Sequence, residues 1–462
     1  MIPRGFLLLL CATSLRAQGF DGTWAGVADT KPDAGRPVGV RLTIEQRGDS
    51  ARIAFTLPES RIVGLTIPSP YSDSTYATIR GGELRLEFTP DIGLGNISRL
   101  GPASDERIAL TARLEGRDQL VGTVRITSYT SPIVLRRVQP DDREIRLTFM
   151  NPNDSLRLGA TLVLPVVRRP PVVVFVTGSD PDARDAWRYE AGVLAGAGVA
   201  SLLYDKRGVG ESSGASHDLA SWDDLAGDLS GAVNWLASRP DLVDTARIGV
   251  IGQSQGTWMI AKVAAKDPRV KYMVSIAGSG MSGAEQETYR TSALMLRDGF
   301  SDREIERAVD FQRRKFAVAR TGLGWEALDS TMQRLRADSV RWFPGYGTGA
   351  AARSLAVLRL YGVLQFNYDP TRDLEHIRIP TLVIMGENDV VFPPKRTIEL
   401  MEHALGRAGN RCLTSRIIPQ ASHGLLVTQA YQGRPFRRVI SEEFLTLLTT
   451  WIPTATRCGT RK

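Results

Sequence analysis

A serine becomes a nucleophile only when a base takes its proton and a carboxylate steadies that base, so the first question is which serines and histidines could meet. Residues 247–261 read RIGVIGQSQGTWMIA: an apolar β-branched run, then Gly252-Gln253-Ser254-Gln255-Gly256, then residues suited to a helix. A G-x-S-x-G at a junction of strand, tight turn and helix is a nucleophile elbow, which pushes the Ser254 hydroxyl out beyond the carboxyl edge of a sheet. Gly252 and Gly256 have a mechanical reason to be glycine, because a side chain at either would strike the neighbouring strand or helix where the turn folds back. The pentapeptide by itself also fits a plain turn, and the flanking strand and helix favour catalysis.

The base must come from four histidines. His403 lies inside the helix expected after Pro394, His376 precedes the apolar strand at Pro380, and His217 follows a serine- and glycine-rich loop. His423, in IIPQASHG at 417–424, comes after the last expected sheet strand and before the terminal helices, which brings it to the carboxyl edge beside Ser254. The acid is expected at the end of the strand before it, in GENDVVFPP at 386–394, where Asp389 and Glu387 compete. Asp389 is preferred, since it lies deeper in the loop and the apolar residues after it would shield its contact with the imidazole. A tetrahedral oxyanion needs backbone N–H donors aimed at it. Gln255, next to the nucleophile, supplies one, and the loop Thr177-Gly178-Ser179-Asp180 the other, with Ser179 preferred and Gly178 the alternative. This chemistry calls for no cofactor and no metal.

These groups need a sheet to hold them. Val172–Val176, Val199–Tyr204, Arg247–Ile251, Val270–Ala277 and Pro380–Met385 are nearly continuous apolar runs, with helical patterns such as Trp222–Ala237 and Thr397–Leu405 between them. Apolar strands alternating with helices mean a parallel sheet covered on both faces. Ile145–Phe149 and Leu158–Leu164 form an expected hairpin before it. From Gly278 to Asp369 the pattern is helical without a convincing strand, including Arg303–Phe316 and Trp325–Ala337, and reads as an inserted cap over about 280–368. Such an insertion emerges at the carboxyl edge, where it can shape an acyl pocket. The aromatics Trp325, Trp342, Phe343, Tyr346 and Tyr361 fit internal packing of the cap better than substrate contact, with some expected to face the site.

Upstream, residues 19–138 show period-2 alternation, as in Val38, Val40, Leu42, Ile44 and then Ile53, Phe55, Leu57, so they make a small antiparallel β domain, a barrel or a sandwich. Arg47-Gly48-Asp49 reads as its first hairpin turn and not as an adhesion motif. The domain has no histidine and its carboxylates sit at turns, so no chemistry is expected there.

Taken together, the chain from about Leu158 onward resembles an α/β-hydrolase, and within that superfamily the exported bacterial serine esterases that carry a β-rich N-terminal domain. The likeness rests on VFVTGSDPDARD at 174–185, YDKRGVGES at 204–212, GQSQG at 252–256, YDP at 368–370, GENDVVFPP at 386–394 and SHG at 422–424, with GTWAG at 22–26 in the first domain. It implies Ser254, Asp389 and His423 as triad, with Ser179 and Gln255 as oxyanion hole. Asp180 departs from the subgroup, which usually has a second glycine there, and puts a carboxylate near where negative charge should develop. Gln253 and Gln255 flank the elbow serine where other residues are commoner. Asp205 and Arg207 read as structural, pairing around the turn after a strand. In this fold the terminal helix packs close to the last strand, so Cys412 and Cys458 are expected to be bonded.

A chain of 462 residues exceeds one ordinary core, consistent with two domains after a leader. Residues 1–18 hold Arg4, the apolar run GFLLLLCATSL and Arg16-Ala17-Gln18, which fits a signal peptide cut near Ala17 or Gln18, hence a periplasmic or secreted protein. Anchoring through Cys11 is the rival reading. The formal charge of +8 is scattered, and clusters such as Arg313-Arg314-Lys315 lie on helices beside acidic residues, so nucleic acid is not an expected partner. No membrane span is expected after cleavage. The expected partner is a small ester of short to medium acyl chain. Two alternatives share the scaffold. A serine exopeptidase would need acidic anchors in the cap, for which Glu285, Glu287 and Glu304 are candidates, and a non-catalytic binding protein would leave the triad idle. A dehalogenase would need a carboxylate at position 254.

Overall fold

In the computed structural model the described residues are 19–28, 37–67, 76–88, 108–126, 129–139, 143–278, 280–347, 353–431 and 434–458, so the expected leader lies outside them. The chain divides into two units, 1–139 with 430–436, and 140–429 with 437–462.

The first unit holds β1 (Gly22–Ala28), β2 (Val38–Arg47), β3 (Ser50–Leu57), β4 (Ile62–Ile67), β5 (Tyr76–Arg80), β6 (Glu83–Phe88), β7 (Ile108–Glu115), β8 (Gln119–Ile126) and β9 (Tyr129–Arg137). All its pairings are antiparallel. β1 joins β2 to β9, the strands then run back through β8, β7, β6 and β5 to β3, and β3 pairs again with β2, so the sheet closes into a barrel. β4 shares the free edge of β3 with β5. The alternation in β3 buries Ile53, Phe55 and Leu57 while their neighbours face out. Phe55 meets Phe88 edge to face at 4.8 Å, and the interior is filled by side chains, as a barrel of this size allows. Buried Trp24 donates its indole N–H to Phe20 O at 2.8 Å, which satisfies its one polar atom. A sandwich and a barrel share the same period of two, so closure becomes visible only in the pairing of β2 with β3.

The second unit is built on β10 (Glu144–Met150), β11 (Arg157–Val163), β12 (Val172–Val176), β13 (Ala200–Tyr204), β14 (Ile248–Gln253), β15 (Val270–Ile276), β16 (Thr381–Gly386) and β17 (Leu413–Ile418), in the order β10-β11-β13-β12-β14-β15-β16-β17. β10 and β11 are antiparallel and the rest run parallel. The helices α1 (Arg188–Gly196), α2 (Trp222–Ala237) and α3 (Gly256–Ala264) follow β12, β13 and β14. Valine alternation in β12 serves both faces: Val172, Val174 and Val176 join the core under α2 and α3, while Val173 and Phe175 join the core under α1. This is the α/β-hydrolase architecture expected from the sequence.

The cap consists of α4 (Gly283–Arg297), α5 (Asp302–Thr321), α6 (Trp325–Ala337) and α7 (Leu355–Tyr361). Ser282 with Glu285, and Ser301 with Glu304, form capping boxes that start α4 and α5. Met295, Phe311, Met332, Trp342, Phe343 and Leu358 give the cap a core of its own. Trp325, Tyr346 and Tyr361 pack against that core, so all five aromatics considered above contribute to the cap interior, Trp342 and Phe343 fully buried there and the other three partly. The chain returns through α8 (Thr371–Leu374) to β16, then α9 (Pro394–Arg407) and, at the C-terminus, α10 (Glu442–Trp451). Between His423 and α10 lies a two-stranded ribbon, β18 (Leu426–Tyr431) and β19 (Arg434–Ile440), beyond the strands expected from the sequence. No helix among the described residues is long and apolar enough to cross a membrane.

Candidate active site

Ser254 follows β14 immediately and adopts φ 52°, a left-handed conformation that a non-glycine residue holds only when its surroundings fix it. Both of its backbone groups are held: its N–H donates to Ile276 O at 2.9 Å, and its carbonyl accepts from Thr257 N at 3.0 Å and Thr257 Oγ1 at 2.7 Å. The two glycines behave as the turn requires. A Cβ on Gly252 would lie 2.5 Å from Gly256 O, and one on Gly256 would lie 2.4 Å from Val176 O.

His423 sits in the turn after β17, and its Nδ1 is 2.9 Å from Asp389 Oδ2. Asp389 lies in the loop after β16 and is buried. Its other oxygen, Oδ1, accepts the backbone N–H of Val391 at 2.7 Å and of Phe392 at 3.0 Å, so the carboxylate is aimed by its own loop and offers one oxygen to the imidazole. Phe392 stacks on the His423 ring at 5.9 Å and also meets Trp258 of α3, which shields the pair as the apolar residues after Asp389 suggested. Glu387, the competing acid, turns away and accepts Gln420 N–H at 2.8 Å. With Nδ1 occupied, Nε2 is the nitrogen left to serve the serine. Among the described residues Ser254 Oγ makes no hydrogen bond, so the contact between serine and imidazole is open in this state, as catalytic contacts often are before substrate arrives.

The loop after β12 passes beside Ser254, close enough that a Cβ on Gly178 would lie 3.3 Å from Ser254 Cβ. The N–H groups of Ser179 and Gln255 donate to nothing among the described residues and remain available. Two basic side chains hold this loop from behind. Lys206 Nζ donates to Gly178 O and, at 3.1 Å, to Asp180 O, and His217 Nε2 lies 2.8 Å from Ser179 O. Lys206 lies within YDKRGVGES and His217 after a serine- and glycine-rich loop, and nothing in either sequence context marks the residue as a support of the 177–180 loop.

Asp205 and Arg207 are structural, but they do not pair with each other. Asp205 accepts from Arg184, whose Nη2 is 2.5 Å and whose backbone N–H is 2.7 Å away, and this ties the far end of the 177–184 loop to β13. Burial works to raise the Asp205 pKa, but the Arg184 bonds outweigh it and hold the carboxyl below its usual value. Arg207 grips Asp228 of α2 through two nitrogens at 2.8 and 2.7 Å, and burial still pushes the Asp228 carboxyl up.

The three acidic residues considered as amine anchors in the cap are committed locally. Glu285 and Glu304 close the capping boxes of α4 and α5, and Glu287 pairs with Arg290 at 2.8 Å. The cap meets the acid loop through α4 instead: Tyr289 OH donates to Asp389 O at 3.2 Å and Gln286 Nε2 to Val391 O at 3.1 Å. Cys412, just before β17, and Cys458, after α10, are joined by a disulfide with Cα atoms 5.8 Å apart.

Comparison with known proteins bears on the same elements. An uncharacterised 31.7 kDa protein of Escherichia coli is 26% identical over 202 residues, which span 43% of this chain and 66% of that protein. A putative non-heme chloroperoxidase of Synechocystis sp. is 26% identical over 264 residues, 54% of this chain and 84% of that protein. Among solved structures, an esterase of Pyrococcus furiosus matches with TM-score 0.40 and 14% identity, covering 68% of this chain and 93% of that one. Residues 109–440 match the model of the alpha/beta hydrolase family, and the chain belongs to that family.

Proposed function

We propose that the protein is a serine carboxylester hydrolase acting on esters of short to medium acyl chain. The observation that carries this reading is the buried Asp389 carboxylate, fixed by two backbone N–H groups and bonded at 2.9 Å to His423, at the sheet edge where Ser254 occupies a strained turn. In the proposed reaction Ser254 Oγ attacks the ester carbonyl carbon while its proton passes to His423 Nε2. The carbonyl oxygen becomes an oxyanion, which the N–H groups of Ser179 and Gln255 receive, with Gly178 N–H the alternative donor. Collapse expels the alkoxide, which takes the proton from His423, and leaves Ser254 acylated. Water then repeats the sequence and releases the acid. Asp389 keeps the imidazole in the tautomer that presents Nε2 and stabilises its charged form.

Esters are favoured over aminoacyl amides by one specific feature. A peptidase acting at free N-termini needs an acidic anchor for the amine, and Glu285, Glu287 and Glu304 are occupied with capping boxes or Arg290. We also propose export to the periplasm or medium, from the apolar leader at residues 1–18.

The test is a panel of p-nitrophenyl esters and aminoacyl anilides with Ser254→Ala as control, together with labelling by a fluorophosphonate. Wild type is expected to be labelled at Ser254 and to show its highest kcat/KM on an ester. A folded wild type that takes no label supports the binding-protein reading, and a higher kcat/KM for an anilide than for p-nitrophenyl butyrate supports the peptidase.

A further inference from the structure

Three consecutive carbonyls of the loop beside Ser254, those of Gly178, Ser179 and Asp180, all face two basic side chains supplied by other segments. A carbonyl can only accept, so His217 Nε2 carries a proton and donates to Ser179 O. Burial, and then the neighbouring ammonium of Lys206, hold His217 below the ordinary histidine value, which suits this neutral donor role. In a trans peptide the C=O of one residue and the N–H of the next point in opposite directions. With Gly178 C=O turned to Lys206, the N–H of Ser179 is turned to the other side of the loop. With Ser179 C=O turned to His217, the N–H of Asp180 is turned away as well. Lys206 Nζ also lies 3.5 Å from Gln255 Oε1, on the residue that supplies the other proposed donor. One ammonium therefore touches both halves of the hole.

The burial of that ammonium needs a reason. Lys206 is 4% exposed and makes no ion pair among the described residues, so its charge is desolvated without a carboxylate in contact. Such a charge is costly to bury, and a backbone clamp alone could be built from neutral donors. A cation can do more. A peptide whose carbonyl is bound to a cation is polarised, which makes the N–H on its other side a stronger donor, and the positive charge itself opposes the field of the Asp180 carboxylate.

We propose that Lys206, braced by His217, is the positioning residue of the oxyanion hole, fixing the Gly178–Ser179 peptide and setting a full positive charge behind the amides that receive the oxyanion. This rests on Ser254 being the nucleophile. The proposal makes Lys206 act on the transition state and hardly at all on bound ester. The charged and titratable groups facing it are Asp180 and Asp182 from the loop, and Asp218 and His217 from the segment before α2.

The experiment compares wild type, Lys206→Met, Lys206→Arg and Ser254→Ala on p-nitrophenyl butyrate, with Tm measured for each. Lys206→Met is expected to lower kcat by about 10²–10³, the range seen when an oxyanion-hole donor is lost, with KM changed by less than about threefold. Affinity for a trifluoromethyl ketone, which forms a tetrahedral adduct on the serine, is expected to fall by the same factor. Affinity for the product carboxylate is expected to hold. Lys206→Arg, which keeps the charge, should recover part of the lost kcat. Wild type gives a further readout that needs no variant. Burial pushes the Lys206 ammonium down to about 8, so kcat is expected to fall as pH rises through about 8, and this limb should be absent in Lys206→Met. A Lys206→Met enzyme with kcat within threefold of wild type, a loss that follows Tm while leaving adduct affinity intact, or a flat wild-type profile between pH 7 and 9.5 each overturns the proposal. Turnover retained by Ser254→Ala would instead bring down the esterase mechanism on which it rests.

Discussion

At the residue scale, the site depends on which oxygen of which carboxylate is free. Asp389 Oδ1 is saturated by Val391 and Phe392 N–H, leaving Oδ2 for His423, whereas Glu387 is engaged with Gln420. Asp389→Asn should therefore lower kcat by about 10³–10⁴, since an amide no longer enforces the productive tautomer. Glu387→Gln should stay within a few-fold. Equal losses in the two variants, measured on the same ester, would remove Asp389 from its role. This part of the site was legible because the elbow and the acid loop each follow a nearly continuous apolar strand, and because His423 alone of the four histidines follows the last strand of the sheet. Lys206 and His217 were not legible in the same way. A lysine in a loop after a strand is ordinarily solvated, and only the folded loop shows that carbonyls of residues 178–180 converge on its ammonium.

A second buried lysine makes a contrasting case. Lys315 on α5 is 5% exposed, donates no hydrogen bond among the described residues, and has the Phe316 ring 5.0 Å from its Nζ. Burial pushes its pKa down from 10.5 to about 8, so the unfolded chain holds this proton more tightly than the native state. Stability should then rise with pH between about 8 and 10.5, where the unfolded form binds more protons. Lys315→Met removes the buried charge and is expected to stabilise the protein at pH 7 by roughly 1–3 kcal/mol. The gain should shrink by pH 10. Urea titrations of both proteins at the two pH values decide this, and equal stability at pH 7 would refute it.

At the scale of elements, the helix α4 is what connects the cap to the chemistry. Its Tyr289 and Gln286 hold the carbonyls of Asp389 and Val391, so the loop that aims the acid is bonded to the cap as well as to itself. Tyr289→Phe should cost about 1 kcal/mol of stability for one part-buried hydrogen bond. Its effect on kcat should be larger than its effect on KM, because a loosened acid loop misplaces the imidazole and leaves substrate contacts alone. A change in KM alone, in steady-state assays on p-nitrophenyl butyrate, would mean that Tyr289 touches substrate. Helices and parallel strands were readable because α6 repeats buried Leu328, Met332 and Leu335 at helical spacing and the core strands are nearly continuous apolar, β-branched runs. The ribbon of β18 and β19 escaped because Pro435 and three arginines interrupt any run that resembles a core strand.

For the whole molecule, the chain divides near residue 140 into a β unit and a hydrolase unit, each with its own buried cores, whereas the sequence period changes only near residue 170, after the antiparallel β10–β11 hairpin that opens the hydrolase sheet. The membership of residues 430–436 in the first unit had no such signal, since it links segments far apart in the chain. The hydrolase sheet ends at β17, an edge strand, and the Cys412–Cys458 disulfide fastens the start of that strand to the segment after α10. The bond spans 46 residues of sequence, including the His423 turn, the ribbon and α10. Closing a loop of that length in the unfolded chain is worth about 4 kcal/mol in the chain-entropy estimate, and measured losses for such bonds are typically about 2–4 kcal/mol. The Cys412→Ser, Cys458→Ser double variant should lose stability by that amount in urea titrations, and reduction of wild type should reproduce the loss. Its kcat at 25 °C should stay within a few-fold of wild type, because His423 is held by Asp389 and Phe392 and not by the bond. Such a bond persists in an oxidising compartment, so it and the proposed leader make one argument for export. Mass mapping of a non-reduced digest of protein recovered from the periplasm should find the two cysteines linked, and free thiols in that material would count against both the bond and the export route.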